Sequence, residues 1–400
     1  HDAVRMFVER SQLVSSDFAL TTDNVHAVVK ICQHLDGIPL ALELAAARTR
    51  SLSPAQILDR LGERFRLLTA ADQGAEGRQQ TLLRTIEWSY DLLGPDEKLL
   101  FRRLGVFAAS FALPSAEKVC IGEGVDEYDV VDLLMALVDK SMVATDSASD
   151  GTTRYTMLES LREFARRGLD DAGERDVLAR RHADYFADLA GQLQSQQRGG
   201  DLGGALVRLD QDEADYRASL RRTLDAQELS TAGRLVGALG YLWYAAGQHR
   251  EGLQWCHELF ALDPDLADEV LADALHSHGS LLGVMGHVDR AVEALERQVE
   301  IRRRYGDRQR LGAALNNLGD WYSELGRNDD AERALVEAIV ELRSAGSYGV
   351  SLSLSTLAYG RYNQGQYDQA ARDYRESLEE ARRADHAYSI AVAMDGLGRS

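Results

Sequence analysis

Glycine recurs at nearly regular intervals in the C-terminal part of the sequence, and this spacing constrains the fold more than any other feature. Gly247, Gly286, Gly326 and Gly365 follow one another at spacings of 39, 40 and 39 residues. A glycine or alanine stands seven residues before each of them, and another stands five residues after each. Small residues at those offsets let two antiparallel helices approach closely, and a glycine at a helix end permits a left-handed turn. The pattern predicts stacked helical hairpins, because one hairpin cannot bury its apolar face alone.

The sequence before the repeats is also mainly helical. Residues 1–78 form a first helical part, in which Pro39 opens a helix at a position where its missing N–H costs nothing. In residues 79–170 three helices precede two β-like runs, and the turn cluster SASDGT between the runs predicts a hairpin. A helical linker at 171–227 leads to the array at 228–400, which holds four hairpins and the start of a fifth. The predicted fold class is mainly α: a helical first part, a winged helix with a small β-hairpin, and an α-solenoid.

The charge balance restricts the partners of the chain. The 45 lysines and arginines against 64 aspartates and glutamates give a net charge of −19, which argues against general binding to nucleic acid or acidic membranes. No apolar run reaches the roughly 18 residues that span a bilayer, and the first residues form no signal peptide. Cys32, Cys120 and Cys256 lie far apart, so neither a disulfide framework nor a zinc site is indicated. We expect a soluble, cytoplasmic protein without a membrane partner.

The sequence lacks the patterns that enzymes of common classes require. A P-loop needs Gly-Lys followed by Ser or Thr, and no lysine of this chain follows a glycine. HExxH and GxSxG are also missing. Cys256 and His257 are neighbours, but adjacent residues on a helix point in different directions. We therefore expect no enzymatic activity, no catalytic residues, no metal and no cofactor bound by this chain alone.

The predicted recognition helix of the winged helix is acidic. It covers about Asp126 to Lys140 and carries five acidic side chains against one lysine. DNA phosphates would repel such a helix, and it lacks arginines that could read base edges. We expect this segment to pack within the molecule and not to bind nucleic acid.

The repeats resemble tetratricopeptide repeats. The stretch LNNLGDWYSELGRNDDAERALVEAI follows the pattern of that family at seven positions, namely Leu318, Gly319, Tyr322, Gly326, Ala331, Leu335 and Ala338. The resemblance covers roughly residues 228 to 400, with Leu282 and Arg361 standing where two other copies would carry the tyrosine. It implies an array that binds a protein or a small-molecule inducer in its groove.

The first half resembles the second half of an NB-ARC module from STAND-type bacterial regulators, of the LuxR type or a related one. The strings GIPLALELAAAR, LSPAQILDRLGERFRLLT and LFRRLGVFAASF carry this resemblance. It implies that Gly37 and Pro39 start a helix that packs under a bound nucleotide, ATP or ADP, provided that an upstream P-loop completes the site. Where many members carry Met-His-Asp, this sequence has Met157, Leu158 and Glu159. Since leucine cannot donate to a phosphate, direct phosphate sensing at that position is not expected.

Family geometry also predicts which residues of each hairpin's first helix face the groove. Tyrosine and asparagine among them offer flat contact area and adaptable hydrogen bonds for a peptide or a small polar ligand. The alternative interpretation of any one of these positions is a solvated helix face. Trp243 and Trp321 are instead expected in packing between repeats. The predicted groove residues are Arg234, Tyr241, Tyr244, His276, Ser280, Asn316, Asp320, Ser323, Tyr359, Tyr362 and Asn363.

Three functions remain open at this point. The first is a regulatory and sensor segment of a STAND-type signal-transduction protein, a transcriptional regulator whose tetratricopeptide repeats bind an inducer or protein partner. The second is a tetratricopeptide interaction scaffold without nucleotide switching. The third is the control arm of an N-terminal enzyme domain. Self-association is compatible with each of them.

Overall fold

The computed structural model describes residues 2–35, 37–65, 75–148, 150–198, 200–347 and 349–400. The chain divides into two compact units. The first unit runs to Tyr185 and also contains Gln211–Asp215, and the second comprises Phe186–Asp210 and Tyr216–Ser400. Among the described helices, none is both long and apolar enough to cross a bilayer.

Five helices form the N-terminal part of the first unit. Pro39 stands at the first position of the third helix, as predicted, and Ser53 caps the fourth by accepting from the Gln56 N–H at 3.3 Å. The third helix is buried on nearly every side, which agrees with its lack of a polar face. The predicted linker around residue 78 lies partly outside the described residues. The helices are α1 (Asp2–Val14), α2 (Val25–His34), α3 (Pro39–Ala47), α4 (Pro54–Phe65) and α5 (Ala75–Asp91).

The predicted winged helix is present, with two elements that the sequence pattern did not predict. A two-residue strand and a seven-residue helix lie between the helix that begins at Pro95 and the helix that begins at Val130. The three strands form one antiparallel sheet in the order β1-β3-β2, with Phe111 opposite Tyr155 and Thr145 opposite the same tyrosine on the other side. The elements are α6 (Pro95–Leu104), β1 (Phe111–Ala112), α7 (Leu113–Val119), α8 (Val130–Asp139), β2 (Ala144–Ser147), β3 (Thr153–Thr156) and α9 (Glu159–Asp171).

The predicted linker helices differ from the expectation in one respect. Within the helical linker at 171–227, the sequence pattern also predicts one helix from about Ala205 to Leu224, but the chain turns at Asp212 and forms two helices there. The segment around that turn belongs to the first unit although the helices beside it belong largely to the second. The helices are α10 (Arg175–Arg198), α11 (Leu202–Gln211) and α12 (Glu213–Asp225).

The second unit contains the predicted hairpin array. The four spacing glycines all adopt positive φ, between +71° and +84°, at the turns between paired helices. This confirms the predicted α-solenoid. The paired helices are α13 (Leu229–Ala245) with α14 (His249–Ala261), α15 (Asp268–Val284) with α16 (Val288–Tyr305), α17 (Arg308–Glu324) with α18 (Asn328–Ser344), and α19 (Gly349–Asn363) with α20 (Tyr367–Arg383), followed by α21 (Ala387–Arg399).

Small residues permit close approach between the helices, as the spacing predicts. A Cβ atom on Gly319 would stand 2.6 Å from the Leu335 side chain and 3.3 Å from the backbone oxygen of Ala331. Between successive hairpins, a Cβ on Gly283 would lie 2.2 Å from the ring of Trp321. Trp321 therefore packs against the preceding repeat, as expected from its size.

Candidate functional site

The turn before α3 is determined by local geometry. Gly37 has φ +65°, and its N–H donates to the Cys32 carbonyl at 3.1 Å, which closes the end of α2. A Cβ on Gly37 would meet Ala3 at 3.7 Å, an ordinary contact. The glycine is thus required by the backbone conformation and not by a lack of space. Pro39 follows as the first residue of α3.

The residues at the Met-His-Asp position are part of the winged helix. Met157 is buried, Leu158 is the N-cap of α9 and is 47% exposed, and Glu159 pairs with Arg162 at 3.1 Å. Arg162 also donates to the Met157 carbonyl at 2.9 Å. This segment is held by its own hydrogen bonds, and none of the three side chains offers a buried donor to an anion.

The exposed surface of the winged helix is poor in free cations. Lys118 pairs with Glu127 at 2.9 Å, and Lys140 pairs with the carboxylate of Glu97. All four residues of β2 are exposed, and the arginine of the wing, Arg154 on β3, is buried. The helix predicted from about Asp126 begins at Val130, so Asp126, Glu127 and Asp129 lie in the turn before it. A phosphate backbone would be repelled by these exposed carboxylates.

A buried polar cluster joins the wing to the turn after α11, and sequence patterns did not reveal it. The Arg154 guanidinium donates to the Asp212 carboxylate at 2.7 Å and to a backbone carbonyl just before β1 at 2.6 Å. Three residues on, Asp215 is fully buried and accepts from the Ala108 N–H at 2.7 Å, and it lies 2.8 Å from a ring nitrogen of His182. The charges of Arg154 and Asp212 compensate one another, as buried charges must.

The predicted groove residues all lie on the first helices of the hairpins, and none of them is fully buried. We call the exposed surface of α13, α15, α17, α19 and α21 the groove face. On α13, Arg234 pairs with Asp188, and the rings of Tyr241 and Tyr244 lie 6.0 Å apart. Both tyrosines remain about two-fifths exposed, at 39% and 43%.

The middle of the groove face is polar and partly satisfied. The ring of His276 lies 3.5 Å from the Asn317 amide, next to Asn316. Ser323 donates to a carbonyl of its own helix at 3.1 Å, which leaves less of its hydroxyl for a ligand. Ser280 is half-buried on α15.

On α19, the predicted residues divide between packing and exposure. The ring of Tyr362 packs against Tyr367 at 5.3 Å and against the core of its own hairpin. Asn363 ends the helix. Tyr359 is 43% exposed and lines a cavity together with Asp320 of α17.

This cavity is a concavity on the groove face. Its volume is about 260 Å³, and side chains from α17, α19, α20 and α21 line it. We call it the tyrosine cavity, because three tyrosines come together there. Its principal lining residues are Asp320, Ser355, Thr356, Tyr359, Tyr374, Tyr388, Asp395 and Arg399.

Charge in the tyrosine cavity is unevenly compensated. Asp395 pairs with Arg399 at 2.6 Å, whereas Asp320 has no ion pair or hydrogen bond with any described residue. Burial within the array raises the pKa of Asp320, and the charge of Glu324 one turn away adds to the rise, although the carboxylate still reaches solvent. The cavity therefore contains one carboxylate that no cation of the described residues compensates.

Sequence reasoning found two of the principal lining residues and missed the others. Asp320 and Tyr359 were predicted from their places on first helices. Tyr374 lies on a second helix, and Tyr388 and Asp395 lie on the incomplete fifth repeat, for which no groove residue was predicted. The repeat spacing places Asp395 at the register of Asn316, and this signal could have included it. The appearance of Tyr388 two residues into a predicted first helix is the one signal that could have included it.

Two histidines outside the groove face pack together without forming a metal site. The rings of His257 and His278 lie 5.3 Å apart, and His278 stacks on Phe260 at 5.0 Å. Burial lowers the pKa of His278 to about 4, so its ring is neutral at physiological pH. Over the described residues no group of three or more metal-ligating side chains occurs.

Known protein families match both units of this architecture. The family model of the winged helix-turn-helix domain matches residues 93–170, and that of the tetratricopeptide repeat matches residues 270–339. The chain therefore contains a winged helix-turn-helix domain and tetratricopeptide repeats. The resemblance stated from the sequence is confirmed for these two components.

Two mycobacterial proteins are similar in sequence. "Putative HTH-type transcriptional regulator Rv0890c" of Mycobacterium tuberculosis is 40% identical over 258 residues, which are 64% of this chain and 29% of that protein. "Uncharacterized protein Rv0894" of the same organism is 42% identical over 187 residues, 46% of this chain and 47% of that protein. The chain thus spans less than half the length of either relative.

Two solved structures align with this chain. The STAND protein with a tetratricopeptide repeat sensor PH0952 from Pyrococcus horikoshii aligns over 98% of this chain and 62% of its own, with 13% identity and a TM-score of 0.37. The apo form of RapI aligns over 50% of this chain and 71% of its own, with 18% identity and a TM-score of 0.40.

Proposed function

We propose that this chain is the regulatory and sensor segment of a STAND-type transcriptional regulator, in which the groove face binds a polypeptide or another polar inducer. The observation that carries the proposal is the tyrosine cavity, where accessible rings and an unpaired carboxylate meet on the face that repeats of this family use for binding. Exposed aromatic side chains around a small number of polar groups are typical of recognition surfaces.

The first unit has a separate role in this proposal. Gly37 and Pro39 contribute to an ATP or ADP site that an upstream P-loop would complete, and the winged helix packs within the molecule instead of reading DNA. The polar cluster of Arg154 and Asp212 supports such a role, because it ties the wing to a turn between helices that continue into the second unit. Binding at the groove face and nucleotide state would then bias one conformational equilibrium.

The proposal also assigns a compartment and an absence of catalysis. All three cysteines are free and buried, which suits a reducing cytoplasm. Burial raises the pKa of Cys120 to about 12, and it raises the pKa of Cys256 as well, so neither thiol is a ready nucleophile. We propose that the chain has no enzymatic activity of its own and is cytoplasmic.

Selection of peptides tests the binding role. Linear peptides selected from a random phage-displayed library against the chain are expected to lose most of their binding to the double variant Tyr359→Ala/Tyr388→Ala. Tyr128→Ala, which removes a 91% exposed tyrosine of the winged helix, is the matched control and should bind as the unmodified chain does. Selected peptides that bind the double variant equally well would reject the groove face as the binding surface.

Calorimetry tests the nucleotide role. The chain alone should bind ADP weakly or not at all, because no sequence in it can form a phosphate cradle. In a longer protein that contains the P-loop, a selected peptide should change the affinity for ADP, and ADP should change the affinity for the peptide by the same factor. If the peptide and ADP bound independently, the protein would be an interaction scaffold and not a nucleotide switch.

A further inference from the structure

The size of the tyrosine cavity restricts what it can hold. Its volume of about 260 Å³ lies below the range of roughly 300–1,000 Å³ that holds drug-sized ligands. A single long side chain fits such a space, as does a small free ion. The cavity therefore has the size of a subsite for one side chain.

The charges of the cavity determine whether a bound side chain can be cationic, anionic or neutral. The Asp395–Arg399 pair is internally neutral, and Asp320 is left without a cation among the described residues. Glu324, on the same face of α17 one turn later, is exposed and adds a second negative charge nearby. An anionic side chain would be repelled, and a neutral one would leave Asp320 uncompensated.

The rings of the cavity favour a cation with a flat, weakly hydrated head. Tyr388 is 67% exposed and Tyr359 is 43% exposed, so their ring faces can be reached. Tyr374 is buried at 5% and its hydroxyl has no hydrogen-bond partner in the described part of the chain, which leaves an acceptor oxygen at the cavity wall. Tyrosine faces attract cations within about 6 Å of the ring centroid, arginine more often than lysine.

The same chemistry stabilises the array elsewhere. The guanidinium of Arg327 lies 4.2 Å from the ring centroid of Tyr322, and that of Arg221 lies 4.9 Å from Trp255. In both places a carboxylate also pairs with the arginine, at 2.7 Å in the first case and 2.8 Å in the second. In the tyrosine cavity Arg399 pairs with Asp395, so the rings and the Asp320 carboxylate form the aromatic and acidic parts of this arrangement without a cation of their own.

We propose that the tyrosine cavity binds an arginine side chain of a partner polypeptide, with Asp320 as the counter-ion and the rings of Tyr359 and Tyr388 as the stacking surface. The inference rests on the proposed function and specifies the chemical class of its ligand. It assigns a basic residue to the partner segment that lies over the last described repeats.

Binding of capped model peptides to the chain tests this inference. The probe is the capped pentapeptide Ala-Ala-Arg-Ala-Ala, and its neutral match carries citrulline in place of arginine. From the size of a desolvated cation–π contact and one ion pair, we expect a dissociation constant on the order of 1 mM for the arginine peptide and at least about tenfold weaker binding of the citrulline peptide. Ligand-observed NMR measures both values.

Variants and a free cation provide the controls. Asp320→Asn should weaken the arginine peptide about fivefold or more, whereas Asp368→Asn, an exposed carboxylate of α20 outside the cavity, should leave it unchanged. Ethylguanidinium, the free form of the same cation, should bind more weakly than the pentapeptide. Equal binding of ethylguanidinium would assign the site to a small free cation and overturn the polypeptide ligand.

The outcomes separate this inference from the function on which it rests. Equal affinity for arginine and citrulline, or an unaffected Asp320→Asn variant, overturns the arginine assignment. If library peptides still depend on Tyr359 and Tyr388 in that case, the groove face remains the binding surface. If they do not, both proposals fall.

Discussion

Gly240 shows at the scale of one residue how the array is held together. A Cβ atom at this position would stand 1.9 Å from the Oγ of Ser277 and 2.9 Å from its Cα. Both helices would have to separate, since a backbone atom cannot rotate away. Gly240→Ala should therefore lower the free energy of unfolding by about 1–3 kcal/mol, the usual cost of overpacking, as measured by urea denaturation.

A second glycine provides the control for that substitution. Gly191 lies inside α10, and a Cβ atom added there would have no neighbour within 4 Å. Gly191→Ala should raise stability by roughly 0.5–1 kcal/mol through helix propensity alone. If Gly240→Ala behaved in the same way, close approach of α13 and α15 would not be the reason for the glycine.

The Asp320 carboxylate is expected to lower the stability of the folded chain at neutral pH, although the same group serves binding. A folded-state pKa above the unfolded value means that the protonated carboxyl is favoured on folding, so its stabilising effect is present at low pH and lost as the pH rises through the folded pKa. Asp320→Asn should thus raise Tm by about 1 °C at pH 7, a small value because the group is exposed. The gain should disappear below the usual aspartate pKa of about 3.9.

Differential scanning fluorimetry between pH 7 and acid conditions measures this dependence. Asp368→Asn, again the matched control, should show no comparable gain. A lower Tm for Asp320→Asn at neutral pH would mean that the carboxylate has a structural partner, which would argue against its role as an open ligand group.

At the scale of elements, the turn at residues 211–215 depends on β3. In the intact chain the guanidinium of Arg154 lies 2.7 Å from the Asp212 carboxylate. Removing Asp212 would leave this buried guanidinium without its counter-ion. Loss of one partner of a buried ion pair typically costs about 3–5 kcal/mol. Asp212→Ala should therefore accelerate hydrogen exchange in β3 and in the turn, as measured by mass spectrometry.

The effect should be specific to the buried pair. Glu163→Ala, which removes an exposed partner of Arg167 on α9, is a suitable control because exposed pairs contribute little. Unchanged exchange in β3 after Asp212→Ala would show that the wing does not rely on this turn.

The winged helix leads to a prediction about DNA. The acidic segment 126–140 and the exposed β2 should give the chain no measurable affinity for random duplex DNA at about 0.15 M salt, as determined by fluorescence anisotropy. Saturable binding whose logarithm falls steeply with salt concentration would contradict the intramolecular role of this domain.

Whether a helix or strand could be predicted from the sequence depended on its length and on how distant its contacts are along the chain. The hairpins were predictable because small residues and apolar periodicity repeat over many turns. β1 has two residues and α7 has seven, which is too short for a periodic pattern, and the position of β1 depends on pairing with β3. The break at Asp212 arises from a distant arginine, so no local signal marks it.

The candidate site shows the same division. Asp320 and Tyr359 follow from their register on first helices. Tyr374 reaches the cavity because Gly396 leaves room for it: a Cβ there would lie 2.1 Å from the tyrosine ring. Such a contact between repeats cannot be read from the pattern of one repeat.

At the scale of the whole molecule, the net charge of −19 dominates the electrostatics. Second helices of neighbouring hairpins are joined by exposed pairs, Arg303 with Glu337 at 2.7 Å and Arg343 with Glu376 at 2.8 Å. Exposed pairs contribute about 0–1 kcal/mol each, whereas a large net charge opposes compaction throughout. Raising the salt concentration from low values to about 0.15 M should therefore increase Tm.

Calorimetry at a series of salt concentrations measures this balance, and the affinity for the arginine peptide should fall over the same series because its ion pair is screened. A Tm that decreases with added salt would show that the pairs between second helices outweigh the repulsion.

The junctions between hairpins have a consequence for how such arrays diversify. Gly240 contacts a serine, Gly283 an indole and Gly396 a phenol, so a different side chain fills the space above the glycine at each of these three joints. A duplicated or transplanted repeat would place a side chain of the wrong size against the glycine of its new neighbour. The interior repeats of this chain are consequently not interchangeable. Recombination within the array should be tolerated only when the glycine and the side chain that packs against it are exchanged together.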